Sequence, residues 1–149
     1  MHKINYVLTV VMDPTTGFVV GITKKKGPAF LINKLTFPGG KIEEGESVAV
    51  AGSREMLEET GIVIPASDWC QVSKVYRENY SLTVLAAESS KVLHARQLEE
   101  EPVWHLAIER HLGYAKVQPD QYVPDFIETL EGALEAISNF HEGTQYFFD

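Results

Sequence analysis

Hydrophobic positions along the chain fall in short blocks separated by turn-forming residues. Tyr6 to Met12 is apolar and β-branched and reads as a strand. Asp13-Pro14-Thr15-Thr16-Gly17 is a turn cluster, and Phe18 to Lys25 is the returning strand. Leu35 to Phe37 is a short extended piece leading into Pro38-Gly39-Gly40, which reads as loop. Ser47 to Thr60 has no Pro, no Gly but Gly52, and many Ala, Val, Leu, Met and Glu residues, so it is expected to be helical. Gly61 follows where a left-handed C-cap would sit. Gln71 to Arg77 and Ser81 to Glu88 read as strands around the turn Glu78-Asn79-Tyr80, and Pro102 to Leu106 as a further strand. Val123-Pro124 opens a last helix, with Phe126, Ile127, Leu130, Leu134 and Ile137 as its apolar stripe. The tail from Phe140 to Asp149 reads either as an edge strand or as a docked end. These patterns alone imply an α+β fold with a mixed sheet.

A chain of 149 residues is expected to form a single domain over residues 1–149, with a sizeable core. The hydrophobic content of 44% and charged content of 23% are ordinary for a soluble globular protein. No apolar run approaches the length of a membrane span, and the N-terminus lacks signal-peptide architecture. The one cysteine, Cys70, has no internal disulfide partner, which suits a cytoplasmic location. A net charge of −8 argues against binding long nucleic acid through bulk electrostatics. Lys24, Lys25, Lys26, Lys34 and Lys41 nonetheless gather near the glycine loop, either as a solvated basic loop or as a local site for a small anion.

Charge patterning on the first helix carries the chemistry. Glu55, Glu58 and Glu59 stand at i, i+3 and i+4 and share one face. Ala49, Val50, Met56 and Leu57 are expected to pack on a sheet from the other side. Like charges at this spacing cost a few tenths of a kcal/mol per pair. Two of the three also lie near the helix C-terminus, where the macrodipole disfavours anions. A hard divalent cation removes the conflict, because carboxylate oxygens are its preferred donors. Glu46 lies at the helix start, where it is expected to brace the loop, and Gly39 and Gly40 permit close backbone approach.

Gly40, Glu46, Arg54, Glu55, Glu58, Glu59 and Gly61, with apolar Met56 and Ile62, fill every defined position of the pattern G-x5-E-x7-R-E-U-x-E-E-x-G-U, where U is apolar. At residue frequencies of roughly 5–8% per type, a chance match in such a chain is on the order of one in ten million. On this box the chain resembles the Nudix hydrolase family. The resemblance implies an α/β/α sandwich and hydrolysis of a nucleoside diphosphate linked to a further group. It also implies a divalent cation, Mg2+ or alternatively Mn2+. Glu55, Glu58 and Glu59 would be the metal ligands, with one of them near the attacking water, and the carbonyl of Gly39 would join them. Arg54 would hold a box glutamate in place, completing the catalytic set. A basic residue near Lys25 would meet the nucleotide phosphates, with Lys41 beside the loop. Glu99-Glu100-Glu101, ahead of Trp104, is either an acidic surface loop or the source of one more metal-binding glutamate.

The run from Leu35 to Glu46, with Phe-Pro-Gly-Gly-Lys-Ile-Glu at its centre, is similar to that of MutT-type nucleoside triphosphate pyrophosphatases. Pro119-Asp120-Gln121-Tyr122 stands where mammalian enzymes that clear oxidised purine triphosphates have a base-reading Pro-Asp-Asp. Asp120 and Gln121 are therefore candidate base readers, with Asp120 as a plain turn residue the alternative. Phe30, Phe37 and Trp104 are candidate stacking platforms, Phe37 first because it adjoins the glycine loop. The expected partner is a small nucleotide, and both a monomer and a homodimer are consistent with the chain. ADP-ribose, nucleotide-sugar or dinucleoside polyphosphate cleavage is the alternative within the family. Against ADP-ribose stands a chain that begins almost directly with its first strand. A non-catalytic binding module is disfavoured because no box glutamate is missing.

Overall fold

The computed structural model describes residues 3–148, with side chains described through residue 141. In chain order the elements are β1 (Ile4–Asp13), β2 (Phe18–Thr23), β3 (Leu35–Thr36), β4 (Gly39–Lys41), α1 (Val48–Thr60), β5 (Cys70–Tyr76), β6 (Tyr80–Glu88), β7 (Val103–Ala107), α2 (Ile108–Val117) and α3 (Phe126–Phe148). The strands form one mixed sheet in the order β3-β2-β1-β6-β5, with β4 added to β1 and β7 added to β2. β1 and β6 run parallel, from Ile4 beside Tyr80 to Met12 beside Glu88. Every other strand pair is antiparallel.

Strand alternation sorts the core into two layers. Val10 and Met12 of β1, Val19 of β2, and Val84 and Ala86 of β6 face the side covered by α2 and α3, where Ala115, Phe126, Leu130 and Ala133 pack on them. Val11, Val20 and Ala87 face the opposite side and meet Met56 of α1 with Ile62 and Ile64. The expected α/β/α sandwich with a mixed sheet is what the chain forms.

α1 starts at Ser47, whose hydroxyl accepts from the Val50 N–H. It ends at Gly61, which adopts φ 80° and donates its N–H to the Leu57 carbonyl. The helix buries Ala51, Gly52, Met56, Glu59 and Thr60. Gly52 allows the close approach: a Cβ there would stand 3.0 Å from Leu85 Cδ1 and 3.3 Å from Thr9 Cγ2. Val50 and Leu57, expected in the packing face, are instead about half exposed, because the row through Gly52 and Met56 turns toward the sheet.

The chain also departs from expectation in three elements. Gly39 to Lys41 is a strand, pairing with Tyr6 to Leu8 of β1, where a loop was expected. α2 breaks what its sequence leaves as an unassigned stretch. The tail is helical through Phe148 rather than an edge strand, and Asp149 lies outside the described residues. Among the described residues no helix is long and apolar enough to cross a membrane.

Candidate active site

Arg54 sits at the centre of the box. Its Nε and Nη2 donate to the two oxygens of Glu46 at 2.7 and 2.9 Å, a forked pair. Nη2 also donates to the Lys41 carbonyl at 3.0 Å, tying the helix to the end of β4. Nη1 donates to Glu55 at 3.0 Å and Glu58 at 3.3 Å. The Arg54 hydrogen bond holds the Glu46 carboxyl down at about 2, helped by the Glu43 N–H. The same pair raises the Arg54 guanidinium further above its ordinary value. Glu46 Oε1 also accepts from the Glu43 N–H at 3.0 Å, so it closes the turn ahead of the helix.

Glu55 and Glu59 form the buried part of the acidic face. Glu59 is 5% exposed, and its Oε2 accepts from the Gly39 N–H at 3.1 Å. Burial first, then the charges of Glu55 and Glu101, push its carboxyl up to about 9. Burial also raises Glu55, against the pull of Arg54, and the Glu55 charge in turn raises Glu59. The adjacent glycines make this arrangement possible. A Cβ on Gly40 would stand 2.5 Å from Glu55 Oε1, and one on Gly39 would stand 2.2 Å from the Val7 carbonyl oxygen. Gly39 thus lets β4 lie against β1, while Gly40 makes room for a carboxylate.

Glu58 is turned toward Arg54 and is about half exposed on its side chain. Among the described residues no three Asp, Glu, His or Cys side chains stand close enough together to enclose an ion. The donor chemistry of the buried pair still fits a hard divalent cation. Two crowded carboxyls with raised pKa values are reconciled either by a proton or by a cation, and their oxygens suit the latter.

The loop glutamates separate by their partners. Glu101 accepts the Lys25 backbone N–H at 2.8 Å, and its charge reaches Glu59. Glu100 pairs with Lys26 Nζ at 3.7 Å on the surface, and the Glu99 carbonyl accepts from Gln97. Glu101 is therefore the one of the three that faces the buried pair. The Lys25 ammonium donates to Asn33 Oδ1 at 2.7 Å. Lys41 has an exposed side chain, and its carbonyl is the group that meets Arg54.

A cleft of about 350 Å³ opens on the α2 side of the sheet, lined in part by Thr23, Asn33, Trp104, His111 and Gln121. Trp104 is 49% exposed, and its Nε1 donates to Thr23 Oγ1 at 2.7 Å. Two expectations need correction here. Phe37 is buried, stacked on Phe126 with ring centroids 4.9 Å apart, so it is a core residue; of the other two candidates Trp104 lines the cleft, while the exposed Phe30 is not part of its lining. Asp120 lies in an exposed helical turn outside the cleft lining, where its carbonyl accepts from Lys34 Nζ. Gln121 does line the cleft. His111 escaped sequence reasoning because α2 itself did.

Comparison with known proteins gives this geometry a family. The NUDIX domain family model matches residues 3–126. Over 41 residues the chain is 54% identical to the 8-oxo-dGTP diphosphatase of Escherichia coli (strain K12). That match spans 28% of this chain and only 32% of the curated relative. Among solved structures, the NUDIX domain of Shewanella oneidensis NrtR complexed with ADP ribose superposes with a TM-score of 0.71 at 18% identity, covering 92% of this chain and 90% of that one. The MutT NUDIX hydrolase from Burkholderia pseudomallei gives a TM-score of 0.67 at 20% identity, covering 89% and 98%. A Francisella tularensis bifunctional NMN adenylyltransferase/ADP ribose pyrophosphatase, complexed with AMP and a Mn ion, gives 0.69 at 17% identity, covering 90% of this chain and 42% of that one. With the whole box in register and the family model running from β1 to the start of α3, the chain belongs to the NUDIX domain family.

Proposed function

We propose that the protein is a Mg2+-dependent nucleoside triphosphate pyrophosphatase, releasing a nucleoside monophosphate and pyrophosphate. The observation that carries this reading is that one short segment, Glu101 to Trp104, joins the neighbourhood of the buried Glu59 to the wall of the cleft. Glu101, whose charge reaches Glu59, stands three residues before Trp104 of the cleft wall. At about 3.3 Å per extended residue that is roughly 10 Å, a span that a nucleotide's sugar and phosphates bridge. The 8-oxo-dGTP diphosphatase similarity favours a triphosphate, though over a minor part of either chain.

In this reading Glu55, Glu58, Glu59 and the Gly39 carbonyl hold the cation. When bound, the cation supplies charge neutralisation at the phosphates and a more acidic water. Arg54 orients Glu55 and Glu58, and Glu46 fixes Arg54 through its fork. Glu101, held by the Lys25 N–H, is a candidate to accept or steer a proton beside Glu59. Lys25 and Lys41 offer positive charge to the phosphates, and Trp104 offers its ring to the base.

The alternative substrate is ADP-ribose, which the Shewanella oneidensis domain binds. Steady-state turnover of ordinary and oxidised nucleoside triphosphates, ADP-ribose and nucleotide sugars with Mg2+ separates the two. The proposal expects the highest kcat/KM for a triphosphate, with pyrophosphate as product. A higher kcat/KM for ADP-ribose overturns it.

A further inference from the structure

The cleft wall is uneven in its hydrogen-bonding capacity, and the unevenness starts with Tyr122. This side chain is buried, and its hydroxyl lies 2.8 Å from His111 Nδ1, its one hydrogen-bond partner among the described residues. A buried hydroxyl proton needs an acceptor, and Nδ1 is the acceptor within reach. With Tyr122 as the donor to Nδ1, the ring hydrogen of neutral His111 falls on Nε2. Burial, with the nearby Arg110 charge, holds the imidazole below its usual pKa and favours that neutral form. Nε2 has no protein partner among the described residues, and His111 lines the cleft.

The neighbouring groups are biased the same way. The oxygen of Asn33 accepts from Lys25 Nζ, and its NH2 has no hydrogen-bond partner among the described residues. The oxygen of Thr23 accepts from Trp104, and its O–H is free to donate. His111, Asn33 and Thr23 thus each have a hydrogen to offer, and the Gln121 amide carries both a donor and an acceptor. A 6-oxopurine presents acceptors at O6 and N7, whereas adenine presents a donor amino group at its 6-position.

We propose that His111 is a specificity-determining residue, presenting an Nε2–H donor fixed by Tyr122, and that with Asn33 it selects a 6-oxopurine over a 6-aminopurine base. This deepens the proposed function and rests on the cleft holding the base.

The test reads the tautomer, nucleotide binding and turnover separately. Long-range ¹H–¹⁵N correlation of the metal-free protein should show His111 with a pyridine-type Nδ1 and a protonated Nε2. Trp104 fluorescence titrations with GMP and AMP should show guanine favoured by about tenfold or more, the loss expected when one donor faces a donor. His111→Ala should bring that ratio near one, and His111→Gln, which keeps an amide donor, should retain part of it. Tyr122→Phe frees the ring to change tautomer and should narrow the ratio if circular dichroism shows it folded. His111→Ala lies on a partly exposed helix face and carries the test if Tyr122→Phe does not fold. A hydrogen on Nδ1, equal GMP and AMP affinities in the parent, or an unchanged ratio in folded His111→Ala overturns the proposal. Loss of triphosphate turnover with the His111-dependent binding ratio intact counts against the proposed reaction alone.

Discussion

Arg54 grips both oxygens of Glu46 while its remaining amine reaches Glu55 and Glu58. One guanidinium thereby couples the loop ahead of α1 to the acidic face of the helix. A lysine keeps the charge but loses the planar fork and reaches one partner at a time. Arg54→Lys is expected to lower kcat by about ten- to a hundredfold, the scale of a misplaced reacting group, with KM changed little. Steady-state kinetics at saturating Mg2+ check this. A collapse of substrate affinity with turnover preserved would make Arg54 a phosphate contact instead.

The same pair predicts an acid limb. Glu46 is held at about 2 in the fold, below its ordinary value of 4.5. A carboxyl with a depressed folded pKa contributes stability that is present above pH 4.5 and is lost as pH falls through about 2. Thermal midpoints of the metal-free protein should fall across that window. Glu46→Gln should flatten this part of the profile relative to the parent. An identical acid slope in both proteins would show that the pair contributes no pH-dependent stability.

How much of this was legible in sequence follows from what each residue depends on. Ser47 and Gly61 bound α1 through local backbone chemistry, so the helix limits could be read directly. The Glu46–Arg54 link is also local in chain and pattern. Phe37 was misjudged because its neighbour in the fold is Phe126, and nothing near Phe37 in the chain reveals that stacking. β4 is hidden because two glycines signal a turn, whereas here Gly39 lets a strand press against β1 and Gly40 makes room for Glu55. α2 carries a short core stripe in Ile108, Leu112 and Ala115, but the exposed Tyr114 and Val117 and the interrupting Gly113 blur it, and His111 goes unread with it. Glu101 could be singled out from its two neighbours only once Lys25, far away in sequence, was seen to cap it.

Glu59 separates folding from function. Its carboxyl is buried against Glu55, a crowding that a neutral amide of the same shape relieves, and Gln can still accept the Gly39 N–H. Glu59→Gln should match or exceed the parent in thermal midpoint in EDTA, yet lose about a hundredfold or more in kcat, as expected when a group stabilising developing charge is removed. It should also lose most of the Mg2+-induced rise in midpoint. Differential scanning calorimetry with and without Mg2+ gives both stability readings. Full activity of the variant at limiting Mg2+ would remove Glu59 from the metal site.

The neighbouring glycines should fail in different ways when each gains a methyl group. At Gly39 the new Cβ would meet backbone on β1, 2.2 Å from the Val7 carbonyl oxygen and 3.0 Å from Leu8 Cα. Backbone in a paired strand has little room to yield, so β4 must move off β1. Gly39→Ala should destabilise the fold by roughly 1–3 kcal/mol or more, in line with overpacking of a close-packed interior. At Gly40 the new Cβ would meet the Glu55 carboxyl, 2.5 Å from Oε1, at the far end of a flexible side chain. That side chain can swing aside at small cost to the fold, but it then leaves the position beside Glu59 from which it would act. Gly40→Ala should therefore keep a near-parental denaturation midpoint while kcat falls about tenfold or more, since displacements near 1 Å at a reacting centre carry losses of that order. Urea denaturation and steady-state turnover on both variants check the contrast. Equal stability losses in the two would mean that Glu55 cannot move independently of α1, and parental activity in Gly40→Ala would mean that its observed position is not the working one.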